Sequence, residues 1–251
     1  MAMLKDIEGS TVAVTGGASG IGLAIADAFL QRGARRLILL DLNPQQADKA
    51  TNTLNAKHGN KATFIQCDVT KDLDQVTKVI IDTYKTVDVL VNSAGIVDER
   101  NPRKVIDINL TALVEWSLKF FDIMRTDRGG KGGTIINISS MYGFMVDPYL
   151  PTYKATKYGV LGFTKSKGHE YHFNKTGVRL LAICPGVTKT NLLVGYQTYE
   201  EKENQEDFVA TFESFPWAEV ARVGQSVAEV FGTASSGTAW VIEGDKPVYE
   251  A

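Results

Sequence analysis

Close to its N-terminus the chain runs from the strand-forming residues Thr11-Val12-Ala13-Val14-Thr15 straight into Gly16-Gly17-Ala18-Ser19-Gly20-Ile21-Gly22. Apolar side chains then recur at Ile21, Ile25, Ala28 and Phe29, and Gly33 follows. That recurrence has the period of a helix, and a glycine is a natural helix stop. A strand, a glycine turn and a helix in this order restrict the fold more than any other stretch, because together they open a βαβ unit. The order is also the context that phosphate binding needs. Glycines let the backbone come close to a pyrophosphate, and the helix N-terminus meets its negative charge. Gly16, Ser19, Gly20, Ile21 and Gly22 are therefore candidates for holding a dinucleotide; the bland alternative is a plain turn.

The same alternation continues. Arg36-Leu37-Ile38-Leu39-Leu40 reads as a second strand ending at Asp41. A carboxylate there takes both hydroxyls of an adenosine ribose and repels a 2′-phosphate. No Arg or Lys stands at Ser19, Leu42 or Asn43 to receive such a phosphate, which favours NAD over NADP. Asp41 equally suits capping of the turn at Asn43-Pro44. Ala62 to Gln66 forms a third strand leading to Cys67-Asp68-Val69. Asp68 suits either an adenine amino group or a cap on the helix starting near Asp72. Val87 to Val91 is a fourth strand running into Asn92-Ser93-Ala94-Gly95, whose small residues allow a flat cofactor to lie close. A single helix is expected from about Arg103 to Arg125. Within it Asn109 sits among Ile106, Ile108 and Leu110, and a polar group in such company needs a specific partner.

Thr134 to Ile138 is a fifth, almost wholly apolar strand ending at Ser139-Ser140, and Tyr153 and Lys157 follow with helical spacing. On a helix those two share a face one turn apart. A free tyrosine, with a pKa of about 10, is a poor base, and a neighbouring ammonium pulls it toward the working range. A serine hydroxyl at the strand end can hold a carbonyl or alkoxide oxygen meanwhile. Taken alone, Tyr-x-x-x-Lys is also a common surface pair. Val178 to Ile183 is a sixth strand reaching Cys184-Pro185-Gly186-Val187-Thr188. Val223 to Phe231 reads as a helix and Thr238 to Ile242 as a seventh strand before a short tail. Alternating strands and helices call for a Rossmann-type, doubly wound α/β sheet of about seven parallel strands with helices on both faces. With no repeat or linker, residues 1–251 are read as one dinucleotide-binding catalytic domain.

Composition excludes other classes. With 27 basic and 29 acidic residues the formal charge is −2, which leaves no electrostatic footprint for nucleic acid. No apolar run has the length of about 20 residues that spans a bilayer. The polar N-terminus lacks a signal core, so a cytoplasmic address is expected. Cys67 and Cys184 read as core thiols rather than a disulfide. His169 and His172 lack an accompanying carboxylate or thiol cluster, and no metal site is expected.

Thr15-Gly16-x-x-x-Gly20-Ile21-Gly22, Asn92-Ser93-Ala94-Gly95, Asn109, Ser140, Tyr153, Lys157 and Pro185-Gly186 with Thr188 together resemble the motifs of the short-chain dehydrogenase/reductase family, in the family's order and over nearly the whole chain. The Gly129-Gly130-Lys131-Gly132-Gly133 turn, the stretch Lys85 to Val91 and the ending Ile242-Glu243-Gly244-Asp245 resemble those of insect-type alcohol dehydrogenases and NAD-dependent 15-hydroxyprostaglandin dehydrogenases. Ser93 departs from the family's second asparagine, and the ending departs from the common Asp-Gly-Gly. The resemblance implies hydride transfer between a nicotinamide and a carbonyl carbon. In it Tyr153 exchanges the hydroxyl proton, Lys157 lowers the tyrosine's pKa and holds the nicotinamide ribose, Ser140 positions the substrate oxygen, and Asn109 anchors a water leading to Lys157. Gly16, Ser19, Gly20, Ile21, Gly22, Asp41, Asp68, Val69, Asn92, Ala94, Gly95, Tyr153, Lys157, Pro185, Gly186 and Thr188 are the implied cofactor contacts. It further implies a homodimer through the helices bearing Asn109 and Tyr153.

The substrate is read from large apolar residues. Met141, Tyr142, Phe144, Met145 and Val146 follow Ser140, and Leu192, Leu193, Tyr196, Tyr199, Phe208, Phe212 and Phe215 fall in a segment at about 186–217. Segments of that length commonly cover a site. Ser140, Tyr142, Tyr153, Leu192, Leu193 and Tyr196 are the substrate candidates, and a lipid-like alcohol or ketone of steroid, isoprenoid or prostanoid type is expected. The alternative function is an NAD-binding sensor or scaffold without turnover.

Overall fold

The computed structural model describes residues 6–193 and 202–251. Its strands are β1 (Thr11–Thr15), β2 (Arg36–Asp41), β3 (Ala62–Gln66), β4 (Val89–Asn92), β5 (Gly133–Ile138), β6 (Val178–Pro185), β7 (Thr238–Ile242) and β8 (Tyr249–Glu250). The helices are α1 (Gly20–Gln31), α2 (Pro44–His58), α3 (Leu73–Tyr84), α4 (Pro102–Ile106), α5 (Leu113–Met124), α6 (Pro151–Lys167), α7 (Glu170–Thr176), α8 (Lys202–Glu213) and α9 (Val220–Thr233).

All the strands join one sheet in the order β3-β2-β1-β4-β5-β6-β7-β8. The first seven strands are parallel, and β8 pairs antiparallel with β7 through Trp240↔Glu250 and Val241↔Tyr249. The expected tail is thus an eighth strand, because its backbone completes the hydrogen bonds of an otherwise open edge. Strand order reverses between β1 and β4. In doubly wound sheets ligands lie in the crevice at the carboxyl ends of the strands on either side of such a switch.

Parallel strands covered on both sides must be apolar on both sides, and alternate residues of β1 go to different cores. Val12 and Val14 pack with Ile25 and Phe29 of α1 and with Val223, Val227 and Phe231 of α9. Ala13 packs with Leu90, Ile135, and Trp116 and Phe120 of α5. A third cluster sits at the carboxyl end of the sheet, with Val97, Met141, Tyr142, Leu150, Tyr153, Val187 and Phe208 at its centre.

The helix expected over Arg103 to Arg125 is present, unbroken from Pro102 to Met124, but it is not uniformly α-helical. Between α4 and α5, Asp107–Ala112 forms a π-helical turn. The extra residue per turn carries Asn109 inward, where it is fully buried. Among the described residues no helix is long and apolar enough to cross a membrane.

Candidate active site

A cleft of about 550 Å³ opens at the switch point, from the β1–α1 turn to the N-terminal half of α6. Its cofactor end is built by close approach. A Cβ on Gly16 would stand 2.8 Å from the Ala94 Cα, and one on Gly22 would stand 2.4 Å from the Gly16 carbonyl oxygen. Gly16 has φ +62°, a backbone state that L side chains rarely adopt. Ser19 precedes α1 without a side-chain cap, and the first turn of α1 holds no acidic residue. The amides of that turn face the cleft without competing charge, a cradle that suits a pyrophosphate. Gly16, Ser19, Gly20, Ile21 and Gly22 all line it.

Asp41 lines the cleft at the end of β2. One carboxylate oxygen accepts from the Ala18 amide at 3.0 Å and the other from Asn43 at 3.1 Å. It therefore closes the turn and also lines the cleft. Asn43, not Asp41, caps α2, its side chain accepting from the Gln46 amide at 3.1 Å. Asp68 and Val69 line the same end. The Asp68 carboxylate accepts from the Thr70 amide and hydroxyl and from Lys71, whose hydrogen bond leads in holding it down at about 2. The residue preceding α3 is Asp72, whose carboxylate accepts from the Asp68 amide at 2.8 Å.

Ala94, Gly95, Pro185, Gly186 and Thr188 line the middle of the cleft. Asn92 does not. Its Nδ2 donates to Ser117 and to Asn137 Oδ1, both at 2.9 Å, and Asn137 donates in turn to Thr164 at 3.0 Å. Asn92 and Asn137 are register partners on β4 and β5, so the amide ties the two strands to α5 and α6 behind the site. Ser93, the departure noted above, gives its amide to Thr15 Oγ1 at 3.1 Å, a contact made by backbone.

Ser140, Tyr153 and Lys157 come together on the cleft wall. Tyr153 and Lys157 are 7% and 5% exposed, which rules out an ordinary surface pair. Lys157 Nζ donates to the Ile138 carbonyl at the end of β5 at 2.9 Å and lies 5.4 Å from the Tyr153 ring centroid. Burial pushes the Tyr153 phenol up to about 12, and the Ser140 hydrogen bond opposes it. Burial also pushes Lys157 down to about 8. Desolvation is the leading cause of both shifts, so burial biases each group toward its uncharged form.

Asn109 stands behind this pair and does not line the cleft. Its Oδ1 accepts from the Ile96 amide and its Nδ2 donates to the Ile96 carbonyl, both at 2.9 Å. The asparagine is therefore a clamp on the segment after β4. Cys184 lies buried and free beneath the site, its thiol pushed up to about 12 by burial. His169 caps α7, its Nδ1 accepting from the Tyr171 amide at 3.1 Å.

The substrate end is apolar. Val97, Met141, Tyr142, Leu150, Val187 and Phe212 line it. Leu192 lines the mouth. Leu193 closes the short turn Asn191–Leu193 with its side chain outside what is described, and Tyr196 lies outside the described residues. Of the apolar residues after Ser140, Met141 and Tyr142 face the cleft while Phe144 and Val146 are exposed. The described part of the 186–217 segment roofs this end. Phe208 of α8 meets Tyr149 edge-on at 5.1 Å, and Phe212 lies 6.3 Å from Tyr142. The segment's base is stapled by the Ala218 amide to the Val187 carbonyl at 2.8 Å and Lys189 back to Ala218 at 3.1 Å. Leu150, Val97 and Glu99 were not identified from sequence; an apolar residue before a proline and a carboxylate in a loop carry no local mark of a site.

Comparison with known proteins bears on the family and the fold. The family model for short chain dehydrogenase matches residues 10–201. The 15-hydroxyprostaglandin dehydrogenase (NAD(+)) of Rattus norvegicus is 37% identical over 206 residues, covering 81% of this chain and 76% of that protein. Alcohol dehydrogenase 1 of Ceratitis cosyra is 32% identical over 190 residues, covering 74% and 73%. The crystal structure of 3-ketoacyl-(acyl-carrier-protein) reductase from Brucella melitensis superposes with a TM-score of 0.80 over 96% of this chain and 99% of that one, at 22% identity, a likeness of fold. The chain belongs to the short-chain dehydrogenase family.

Proposed function

We propose that the protein is an NAD-dependent dehydrogenase that interconverts an apolar, lipid-like alcohol and its ketone or aldehyde. The observation that carries this reading is the placement of one buried Tyr–Lys pair between a glycine cradle with a carboxylate and an apolar pocket. NAD supplies the hydride acceptor and, when oxidised, a positive charge on its nicotinamide. The α1 amides and glycines would hold its pyrophosphate, and Asp41 its adenosine ribose hydroxyls, with like charge turning away a 2′-phosphate. Lys157 would hold the second ribose. Ser140 would hold the substrate oxygen, and Tyr153 would take its proton as the carbonyl forms or return it in reduction.

An apolar substrate is supported by the walls, Val97, Met141, Tyr142, Leu150 and Phe212. Among the described residues of the cleft Lys157 is the one basic side chain, and it belongs to the acid–base pair. Two free buried thiols accord with a reducing compartment such as the cytoplasm. The test is a panel of ethanol, 2-octanol, farnesol, testosterone and prostaglandin E2 with NAD and with NADP, followed at the nicotinamide absorbance. We expect turnover with NAD at least about 10-fold more efficient than with NADP, a discrimination worth about 1.4 kcal/mol, and best for the large apolar alcohols. Binding of NADH with no turnover across the panel would instead indicate a sensor or scaffold.

A further inference from the structure

Helix α6 carries Tyr153 in its first turn, and a first turn is where a helix holds its side chains least firmly, because its amides lack partners within the helix. The usual remedy is a Ser, Thr, Asp or Asn at the N-cap. Here the N-cap is Leu150, which is buried in the wall of the cleft and has no side chain able to accept a hydrogen bond. Its backbone is left-handed, with φ +52° and ψ +51°. In a leucine that conformation is sterically disfavoured and needs support from elsewhere.

The support comes from Glu99, which is fully buried. Its Oε2 accepts from the Thr152 amide at 2.9 Å and its Oε1 from the Tyr153 amide at 2.8 Å. Pro151 has no amide hydrogen, and the Lys154 amide already donates to the Leu150 carbonyl at 2.9 Å. The two carboxylate oxygens therefore satisfy the whole remainder of the first turn, one on the Thr152 amide and the other on the amide of Tyr153 itself. Among the described residues no cation pairs with Glu99, so the helix N-terminus itself offsets its charge. A buried carboxylate held this way is strongly directional, since any rotation leaves an amide and an oxygen unpaired in a dry environment.

The other end of the contact is equally fixed. Glu99 lies a few residues after Ile96, whose amide and carbonyl are both held by Asn109, and Ile96 and Val97 line the cleft. The strap from Ile96 to Glu99 thus joins the wall after β4 to the phenol-bearing turn of α6. We infer that Glu99 is the positioning residue that sets Tyr153 within the cleft, a role that rests on the reading of Tyr153 as the acid–base group. It never meets the substrate. It acts by fixing where the phenol stands.

The test compares Glu99→Ala, Glu99→Gln and Tyr153→Phe in the full chain. The readouts are steady-state kinetics with the best alcohol of the panel above, NADH binding, and hydrogen exchange of the α6 amides. A shift of about 1 Å at a reacting group can lower the rate about 100-fold. Glu99→Ala should therefore lower kcat by about 30–100-fold with KM for NAD and NADH affinity within about twofold of wild type. Glu99→Gln keeps one acceptor and turns an NH2 toward the other amide, so it should fall between, roughly 3–10-fold below wild type. Exchange at Thr152 and Tyr153 should quicken in both variants while the rest of α6 is unchanged. Values of kcat within twofold of wild type in both variants, unchanged exchange at those amides, or loss of kcat only in step with lost NADH binding overturns the inference. Should Glu99→Ala not fold, the glutamine variant decides by the same measures. Turnover retained by Tyr153→Phe would overturn the acid–base reading itself. A silent Tyr153→Phe beside fully active Glu99 variants sinks the positioning role alone.

Discussion

Lys157 illustrates what a reactive side chain demands of the fold around it. Its ordinary value of 10.5 is lowered to about 8 by burial, so near neutral pH most of the folded protein holds a buried ammonium with Ile138 as its hydrogen-bond acceptor. Below about pH 8 both folded and unfolded chains carry this charge, and the folded state bears the whole desolvation penalty. Between about 8 and 10.5 the folded state loses its proton first, the penalty fades, and stability from this group rises with pH. Lys157→Met should therefore be more stable than wild type at pH 7, by on the order of 1–2 kcal/mol after the loss of the Ile138 contact, and melt at a higher temperature. The advantage should shrink toward pH 10, while turnover is lost. Thermal melts at pH 7, 8.5 and 10 check this, and a variant less stable at pH 7 would show the Ile138 hydrogen bond to outweigh desolvation.

Two elements place the chemistry, and both depend on glycines in opposite ways. At the β1–α1 turn, a Cβ on Gly22 would stand 2.4 Å from the Gly16 carbonyl oxygen, an approach that backbone cannot relieve by a small shift. In α6, a Cβ on Gly162 would meet nothing within 4 Å. Gly22→Ala should destabilise by about 2 kcal/mol or more and weaken NADH binding. Gly162→Ala should stabilise by about 0.5–1 kcal/mol through helix propensity, with binding unchanged. Chemical denaturation and NADH titration of the two variants provide the contrast; equal effects would show that the close approach at Gly22 is not limiting. The π-helical turn at Asp107–Ala112 belongs to the same group of placing elements. Its wider spacing is what lets Asn109 reach Ile96 while α5 keeps Trp116 and Phe120 stacked in the core.

For the molecule as a whole, two sheet-face cores support a third, aromatic cluster that roofs the substrate end. The helices carrying Asn109 and Tyr153 also leave large apolar side chains in solvent. Ile106, Leu118 and Tyr158 are each about 40% exposed. We propose that these helices pair with a second copy of the chain. Light scattering should then give the mass of a dimer, and Leu118→Glu combined with Tyr158→Glu should move it to a monomer of 27.4 kDa. A monomeric wild type at micromolar concentration would rule the pairing out.

Much of this architecture was legible in the residues by themselves, because periodicity and turn chemistry are local. Apolar runs of strand length, the helical recurrence after Gly20 and the glycines of the first turn were enough for the parallel sheet, whereas its strand order and switch point came only with the tertiary structure. The spacing of Tyr153 and Lys157 placed both on one face of α6. What local patterns do not contain is which distant group each polar atom meets. Asn92, expected at the cofactor, turns into the Asn137–Ser117 network, because its register partner on β5 is another buried amide. The expected helix holds a π turn that its periodicity did not mark, where Asn109 meets the backbone of Ile96 from another segment. Burial raises the Tyr153 phenol and lowers the Lys157 ammonium, an effect of surroundings that their spacing in sequence does not contain. Glu99, an unremarked carboxylate in a loop, caps the helix 54 positions before its amide partner Tyr153. Hydrogen-bond satisfaction and desolvation are properties of neighbours in space, so they were settled when the chain closed on itself.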